Sequence, residues 1–190
     1  MDLKGKTVLF LGSSVTYGAA SGGVSFVEFT AKKCGFNYVK EAVSGTTLAD
    51  IGENSYVSRL KKVDKNLKID LFVCQLSTND SYRGVSIEET KRAIIFIIDY
   101  VKKTFGCPAV FYTGTRFNSC GYGESVKMLL KLQKEYCFGC LNLWDDEDMQ
   151  SVNNEDYKRF MKDSVHPTLE GYRDWWTPKF IDFFEKSKLL

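Results

Sequence analysis

The sequence predicts a three-layer α/β domain, doubly wound around a central, mostly parallel sheet of about five strands. Short apolar runs alternate along the 190 residues with segments of helical periodicity, which is the order of elements in such a domain. Two of the runs, Leu9–Leu11 and Leu71–Val73, are continuously apolar. Continuous runs are typical of strands buried on both faces, as in a parallel sheet covered by helices. We expect residues 1–190 to form a single domain.

The predicted strands place three polar segments at one edge of the sheet. Parallel strands end at the same edge, and doubly wound sheets bind ligands beyond those carboxyl ends. Gly12–Ser14, Ser77–Asp80 and the region after Trp144 each follow a predicted strand, so we expect them to lie together. The predicted strands are Thr7–Leu11, Tyr38–Val43, Ile69–Leu76, Ala109–Thr113 and approximately Cys140–Trp144.

The clearest helical segment lies between the third and fourth predicted strands. Ser86 and Glu89 form a capping box at its start. Apolar residues recur at helical spacing up to Phe105, and Gly106 and Pro108 end the segment. This alternation of strands and helices corresponds to a flavodoxin-like arrangement. Further helices are predicted near Ser25–Cys34, Glu124–Glu135 and Thr168–Lys186, the last of them kinked or split by Pro178.

Composition and charge argue against several classes of partner. A net charge of +2 gives no basic surface for nucleic acid. The longest dense apolar run, Ala93–Ile98, is stopped by Asp99 and is too short to cross a bilayer. Residues 1–6 carry no apolar signal segment. We therefore expect a cytoplasmic protein without nucleic-acid or membrane partners, unless an export segment has been removed; the oligomeric state is left open.

The six cysteines do not predict a metal or a redox centre. Cys137 and Cys140 have the spacing of a dithiol site, but such a site normally opens a helix after a strand. Here the pair precedes an apolar stretch, so redox activity is not favoured, although the sequence does not exclude a disulfide. A zinc site would need a second pair of ligands, which the chain lacks. No metal ion or organic cofactor is implied.

The chain contains one histidine, and its surroundings suggest nucleophilic chemistry. His166 lies three residues after Asp163 and directly before Pro167. Far upstream, the first predicted strand runs into a glycine turn that carries Ser14. A serine hydroxyl is a weak nucleophile unless a base takes its proton, and imidazole is suited to that task near neutral pH. We therefore predict Ser14 as the nucleophile, His166 as the base and Asp163 as the carboxylate that orients the imidazole.

These residues resemble the SGNH (GDSL-type) hydrolases, a family that carries four short blocks in a fixed order. Counterparts occur here in that order: Gly12–Ser14, Ser44–Thr46, Ser77–Asp80, and Asp163–Pro167 followed by Gly171. Four blocks in order are much more specific than any one of them. The resemblance covers nearly the whole chain and implies a carboxylic ester hydrolase with a catalytic serine.

The resemblance also implies an oxyanion hole. Its donors would be the backbone N–H groups of Ser14 and Gly45 and the side-chain amide of Asn79, which stabilise the negative oxygen of the transition state. Two positions depart from the family pattern. Ser13 stands where an acidic or amide residue is usual, and Ser77 stands where a glycine is usual. Neither departure removes a reacting group, so we expect both to affect only how the loops around the site are held in place.

We expect the substrate to be a small-molecule ester with a short, acetyl-like acyl group, for example on a carbohydrate. The loops are mostly short and no long apolar lid segment is visible. Residues that follow strand ends are predicted to line a shallow polar and aromatic pocket, although each is equally well an ordinary surface residue. These residues are Tyr17, Tyr82, Arg83, Phe117 and Asn118.

Other functions fit parts of the same pattern. A preference for longer acyl chains would make the enzyme a lysophospholipase or a thioesterase. A non-catalytic carbohydrate-binding domain could have kept the fold, although it would not need the intact serine, histidine and aspartate. An anion-binding domain would use the turn Gly12–Gly18, but the lysine of a phosphate loop is missing. Taken singly, Ser14 also fits a helix N-cap, and Gly45 and Asn79 fit ordinary turns.

Overall fold

The computed structural model describes residues 2–117 and 121–187, which are built around a five-stranded parallel sheet. The order of the strands is β2-β1-β3-β4-β5, the flavodoxin-like order of doubly wound folds. The predicted fold class is therefore confirmed, and every predicted strand is present with its ends shifted by no more than about three residues. The strands are β1 (Thr7–Gly12), β2 (Asn37–Ala42), β3 (Leu71–Gln75), β4 (Ala109–Tyr112) and β5 (Gly139–Leu141).

Alternate residues of the central strands pack into two separate cores, one on each face of the sheet. On β1, Val8 and Phe10 belong to one core, and Leu9 and Leu11 belong to the other. All four side chains are fully buried. A strand covered on both faces needs apolar residues at every position, which explains the continuous apolar run in the sequence.

Helices cover both faces of this sheet. One core is completed by α3 (Tyr56–Lys62), α5 (Ile87–Thr104) and α6 (Tyr122–Tyr136). The other is completed by α2 (Phe26–Cys34), by a π-helical segment (Gly171–Trp176) and by α9 (Thr177–Lys186). Five short helices were not predicted: α3, α1 (Ser14–Tyr17), α4 (Thr78–Tyr82), α7 (Glu147–Gln150) and α8 (Asn154–Phe160).

The helix ends agree with the predicted signals. Ser86 and Glu89 form the expected capping box at the start of α5. The last predicted helix is split close to Pro178, because the N–H of Thr177 donates to the carbonyl of Tyr172, five residues back. Pro178 lies in the first turn of α9, directly after this π-helical segment. Within the described parts of the chain, no helix has the length and apolar character needed to cross a membrane.

Candidate active site

Ser14 lies at the start of α1, directly beyond the end of β1. Gly12 ends the strand and Ser13 occupies the N-cap position of the helix. A Cβ atom at Gly12 would lie 1.7 Å from Oγ1 of Thr16, so the sharp turn from strand to helix requires glycine at this position. The residue predicted as the nucleophile is therefore held where a parallel strand delivers it, at the carboxyl edge of the sheet.

A buried glutamine, Gln75, accepts hydrogen bonds from this turn. The backbone N–H and the hydroxyl of Ser13 approach Oε1 of Gln75 at 3.0 and 3.4 Å. The hydroxyl of Thr16 donates to the same oxygen at 2.9 Å and lies 2.6 Å from the hydroxyl of Tyr112. All four side chains are almost fully buried. Ser13, the first departure from the family pattern, is thus accommodated by Gln75, which sequence reasoning missed.

Ser14, His166 and Asp163 form a continuous hydrogen-bonded chain. Nε2 of His166 lies 2.8 Å from Oγ of Ser14, and Nδ1 lies 2.8 Å from Oδ2 of Asp163. The structure therefore brings together the three side chains that the sequence singled out, across 152 residues. In this arrangement the imidazole can take the hydroxyl proton while the carboxylate holds its tautomer.

Asp163 is fixed by its own loop. Its Oδ1 accepts the backbone N–H groups of Val165 and His166, both at 2.8 Å. Partial burial opposes ionisation, but these N–H groups and the imidazole outweigh it and hold the pKa of Asp163 below its ordinary range. Met161 and Pro167 close the loop with an antiparallel bridge. The carboxylate is therefore charged at neutral pH and aimed at the ring.

Asn79 and Gly45 lie on two adjoining segments. Nδ2 of Asn79, in α4, donates to the carbonyl of Thr46 at 2.8 Å. This bond fixes which way the amide points, and the second hydrogen on Nδ2 remains for a ligand. Gly45 has a φ of +77°, and a Cβ there would meet no protein atom within 4 Å. Glycine is thus required by the left-handed backbone and not by packing.

Asp80 ties these two segments together, a role that sequence reasoning did not assign. Its carboxylate is buried and accepts the N–H groups of Leu48 and Ala49 at 2.7 and 2.8 Å. Ser77, the second departure from the family pattern, caps α4 through the N–H of Asp80. An acid directly after the asparagine of the third block is the signal that could have suggested this contact.

A cleft of about 680 Å³ opens over the hydroxyl of Ser14 and the ring of His166. Among the predicted substrate residues, Tyr82 and Phe117 line it. The cleft also exposes Asn79 of the predicted oxyanion hole. The remaining lining residues are Thr78, Ser81, Asp163, Ser164 and Val165.

Tyr17 and Arg83, two other predicted substrate residues, are not part of that lining. Tyr17 lies beside Lys40, whose ammonium is 5.9 Å from the centre of its ring. Arg83 donates to the carbonyl of Gly45 at 2.7 Å and lines a neighbouring groove together with that glycine. Asn118 lies outside the described residues. Of the four predicted substrate residues that the structure describes, two line the cleft.

The cysteine pair lies away from this cleft. Cys137 follows α6 with a left-handed φ of 55°, and Cys140 lies in β5. Both are free thiols. Burial raises the pKa of Cys140 to about 12, which is opposite to the activation that a redox dithiol needs.

Several solved structures share this fold. Axe2, an acetylxylan esterase from Geobacillus stearothermophilus, aligns over 98% of both chains at 15% identity and a TM-score of 0.77. A member of the lipolytic protein G-D-S-L family from Veillonella parvula aligns over 96% of this chain and 100% of its own, at 14% identity and a TM-score of 0.76. A protein from Lactobacillus plantarum covers 98% and 99%, at 16% identity and a TM-score of 0.82. No curated protein matches the sequence significantly.

The sequence relationship comes from a family model. The model of the GDSL-like lipase/acylhydrolase family matches residues 10–173. This range contains all four blocks that suggested the resemblance, from Gly12 to Gly171. Because the match spans most of the chain, the protein belongs to the GDSL-like lipase/acylhydrolase family and is a carboxylic ester hydrolase.

Proposed function

We propose that this esterase removes a short, acetyl-like acyl group from a carbohydrate or another small ester through a Ser14–His166–Asp163 triad. The observation that carries the proposal is the hydrogen-bonded chain from Oγ of Ser14 through the imidazole to Oδ2 of Asp163, with both outer contacts at 2.8 Å. An aliphatic hydroxyl in contact with an imidazole that a carboxylate orients is suited to attack on an ester carbonyl.

The proposed reaction has two halves that use the same groups. Nε2 of His166 takes the proton of Ser14 as Oγ attacks the carbonyl carbon. The oxyanion accepts hydrogen bonds from the N–H groups of Ser14 and Gly45 and from the side chain of Asn79. The imidazolium then returns its proton to the leaving alcohol, and an acyl-serine remains. Water, deprotonated by the same imidazole, releases the acid and restores the serine.

The side chains of the cleft support a short acyl group on a polar alcohol. Hydroxyl and amide groups surround the reactive serine, namely those of Thr78, Asn79, Ser81 and Ser164. Such groups bind sugar hydroxyls better than they bind a hydrocarbon chain. The fold shared with an acetylxylan esterase supports the same substrate class. Phe117 and Val165 add apolar surface, which favours a longer acyl chain as the second candidate.

Tyr82 is the residue that we propose contacts the alcohol part of the substrate. It lines the cleft, yet 93% of its surface is exposed, so the ring contributes little to the packing of the fold. A carbohydrate that stacks on this ring would bury the aromatic surface that is exposed in the free protein. Tyr82→Ala should therefore raise KM for an acetylated oligosaccharide about tenfold and leave KM for p-nitrophenyl acetate unchanged. Tyr38→Ala, on the edge strand β2, is the matched control.

A series of acyl chain lengths tests the substrate class. Values of kcat/KM would be measured for p-nitrophenyl acetate, butyrate and octanoate, together with release of acetate from acetylated xylo-oligosaccharides. We expect kcat/KM to fall at least about tenfold from acetate to octanoate, because a long hydrocarbon chain would displace water from the hydroxyl and amide side chains of the cleft without replacing its hydrogen bonds. A rise along the series would instead identify a long-chain acylhydrolase.

A covalent probe tests the proposed nucleophile. A fluorophosphonate should label the protein once, and peptide mapping should place the label on Ser14. The label should disappear in Ser14→Ala and remain in Ser81→Ala, which removes another hydroxyl of the same cleft. Labelling of Ser81 or another residue, or full activity in Ser14→Ala, would contradict the assignment. No labelling and no turnover in the folded protein would favour a binding domain.

A further inference from the structure

We propose that Arg59, which does not line the cleft, is a positioning residue that sets the oxyanion donors against the nucleophile. It acts on the segment Val43–Ala49, called here the oxyanion loop, which contains Gly45. The inference rests on the proposed function, because it assumes that Ser14 attacks and that this loop and Asn79 receive the oxyanion.

The guanidinium of Arg59 is buried, with only 5% of the residue exposed, and it binds four separate points of the chain. Nε donates to the carbonyl of Asn54 at 3.0 Å, and Nη1 donates to the carbonyl of Glu41 at 2.7 Å and lies 3.4 Å from the carboxylate of the same residue. Nη2 donates to the carbonyl of Gly12 at 2.7 Å and to Oγ1 of Thr46 at 3.2 Å. One planar group therefore joins the ends of β1 and β2 to the oxyanion loop.

Two of these acceptors adjoin the proposed reacting groups. The Gly12 carbonyl lies at the end of β1, two residues before Ser14. Thr46 directly follows Gly45, and its own carbonyl accepts the amide of Asn79 at 2.8 Å. A single path of hydrogen bonds thus runs from the strand that delivers the nucleophile, through the guanidinium, to the amide that would meet the oxyanion. A shift of the guanidinium would change the distance between attacking and stabilising groups.

The choice of arginine indicates a geometric role. Burying a charge is costly, and an apolar side chain of similar volume is often as stabilising. Its helix neighbours Val57 and Leu60 show that this helix packs apolar side chains against the same sheet. Arginine instead offers donors in fixed directions within one plane, which lysine cannot reproduce. Here those directions match carbonyls on three different segments, so the guanidinium specifies their relative position.

A displaced oxyanion loop affects the transition state more than the bound substrate, because the negative oxygen exists only in the transition state. A misplacement of about 1 Å can cost about a hundredfold in rate. Arg59→Lys should therefore lower kcat by about 10- to 100-fold and change KM by less than about threefold. The acidic limb of the pH profile should keep its midpoint, since Arg59 donates to neither His166 nor Asp163.

The decisive measurement is the coupling between Arg59 and Asn79. When Asn79→Ala has already removed the amide, Arg59→Lys should lower kcat by a clearly smaller factor than it does in the unchanged protein, because part of its effect acts through the amide that is already absent. Arg92→Lys, on the exposed face of α5, is the matched control and should leave kcat unchanged. Thermal unfolding of every variant shows whether the loss of rate occurs in folded protein.

Additive losses in the double variant, an effect confined to KM, or an unchanged kcat in Arg59→Lys would each overturn the inference. If Arg59→Lys does not fold, Thr46→Val replaces it, because this change removes one acceptor of the guanidinium and keeps the shape of the side chain. Thr46→Val should lower kcat about three- to tenfold, and an unchanged kcat would again overturn the inference. The Ser14→Ala variant distinguishes failure of this inference from failure of the proposed function. If Ser14→Ala keeps its activity, the proposed function itself is wrong.

Discussion

The turn that carries the proposed nucleophile (Gly12–Thr16, the nucleophile turn) and the loop that carries the proposed base (Asp163–Pro167, the acid–base loop) meet at one 2.8 Å contact but are held by different means. The turn depends on partners far along the chain. Gln75 accepts from it across about 60 residues, and the hydroxyl of Tyr172 donates to the carbonyl of Val15 across 157. The loop is held by contacts within its own short segment, where Asp163 accepts from Val165 and His166 and an antiparallel bridge joins Met161 to Pro167.

The turn and the loop also differ in how deeply their side chains are buried. Ser14 is 7% exposed, whereas 54% of the side chain of Asp163 is exposed. The turn is therefore part of the core, where its geometry and the stability of the fold depend on the same hydrogen bonds. The loop is a surface turn that makes its own geometry, so that its side chains can be changed with little effect on stability. Substitutions in the loop should consequently lower activity without lowering stability, whereas substitutions in the turn should lower both.

The largest expected effect is the loss of the base. His166→Ala should lower kcat by about 10⁴-fold or more, because the chain has no second imidazole to replace it. The melting temperature should change little, since the ring belongs to the locally formed loop. Steady-state kinetics on an acetyl ester and thermal unfolding check both parts. Turnover within tenfold of the unchanged enzyme would show that another group removes the proton.

Loss of the orienting carboxylate should cost less. Asp163→Ala should lower kcat by about 10³- to 10⁴-fold, because the imidazole remains but loses its fixed tautomer. Since the side chain is half exposed, we expect the melting temperature to fall by only about 2 °C or less. A drop in melting temperature as large as that of a core variant would mean that the loop is not self-contained.

On the side of the nucleophile turn, Asn79→Ala should lower kcat by about 10²- to 10³-fold with little change in KM. The physical reason is that the amide hydrogen meets a full negative charge only in the transition state. Asn66→Ala, an exposed residue bonded only to Asp64, serves as the control. A change confined to KM would show that Asn79 binds substrate without stabilising the oxyanion.

Gln75→Leu should affect stability and activity together. The change leaves the buried donors of Ser13 and Thr16 without their acceptor, which should cost about 2 kcal/mol and lower the melting temperature by about 4–8 °C. We also expect kcat to fall about tenfold as the turn loses its support. Comparison with Asp163→Ala is the direct test of the contrast between the two regions. A Gln75→Leu enzyme with unchanged stability would remove that contrast.

The smallest effect concerns the number of protons in the acidic limb of kcat/KM. The hydrogen bonds that lower the pKa of Asp163 should keep its carboxylate charged while the imidazole becomes protonated. The limb should therefore have a slope of one in a logarithmic plot, and its midpoint should match the NMR titration of the single imidazole. Because the pKa of Asp163 is depressed by folding, its contribution to stability is lost only at lower pH, as the pH falls through that folded value. A slope of two would show that both groups titrate together.

Local patterns in the sequence predicted the central strands, the start of α5 and the loop that carries His166. The continuous runs in β1 and β3 indicated strands buried on both faces, and the capping box of Ser86 and Glu89 marked the start of α5. The spacing of Asp163 and His166 also identified a loop in which Asp163 binds partners two and three residues away. Such features are readable because the interacting groups are neighbours in the chain, so that spacing alone specifies their geometry.

Only the tertiary structure decided what supports the nucleophile and its surroundings. Gln75, Asp80 and Arg59 are polar residues in or beside apolar segments, and each of them binds a partner about 30 to 60 residues away. Likewise, Tyr82, Phe117 and Tyr17 all follow strand ends in the sequence. Tyr82 and Phe117 line the cleft, whereas Tyr17 lies beside Lys40. Contacts of this kind depend on which loops the sheet order β2-β1-β3-β4-β5 makes adjacent. Local sequence therefore identifies the proposed reacting groups, whereas their rigid placement arises from buried hydrogen bonds that exist only once the sheet has formed.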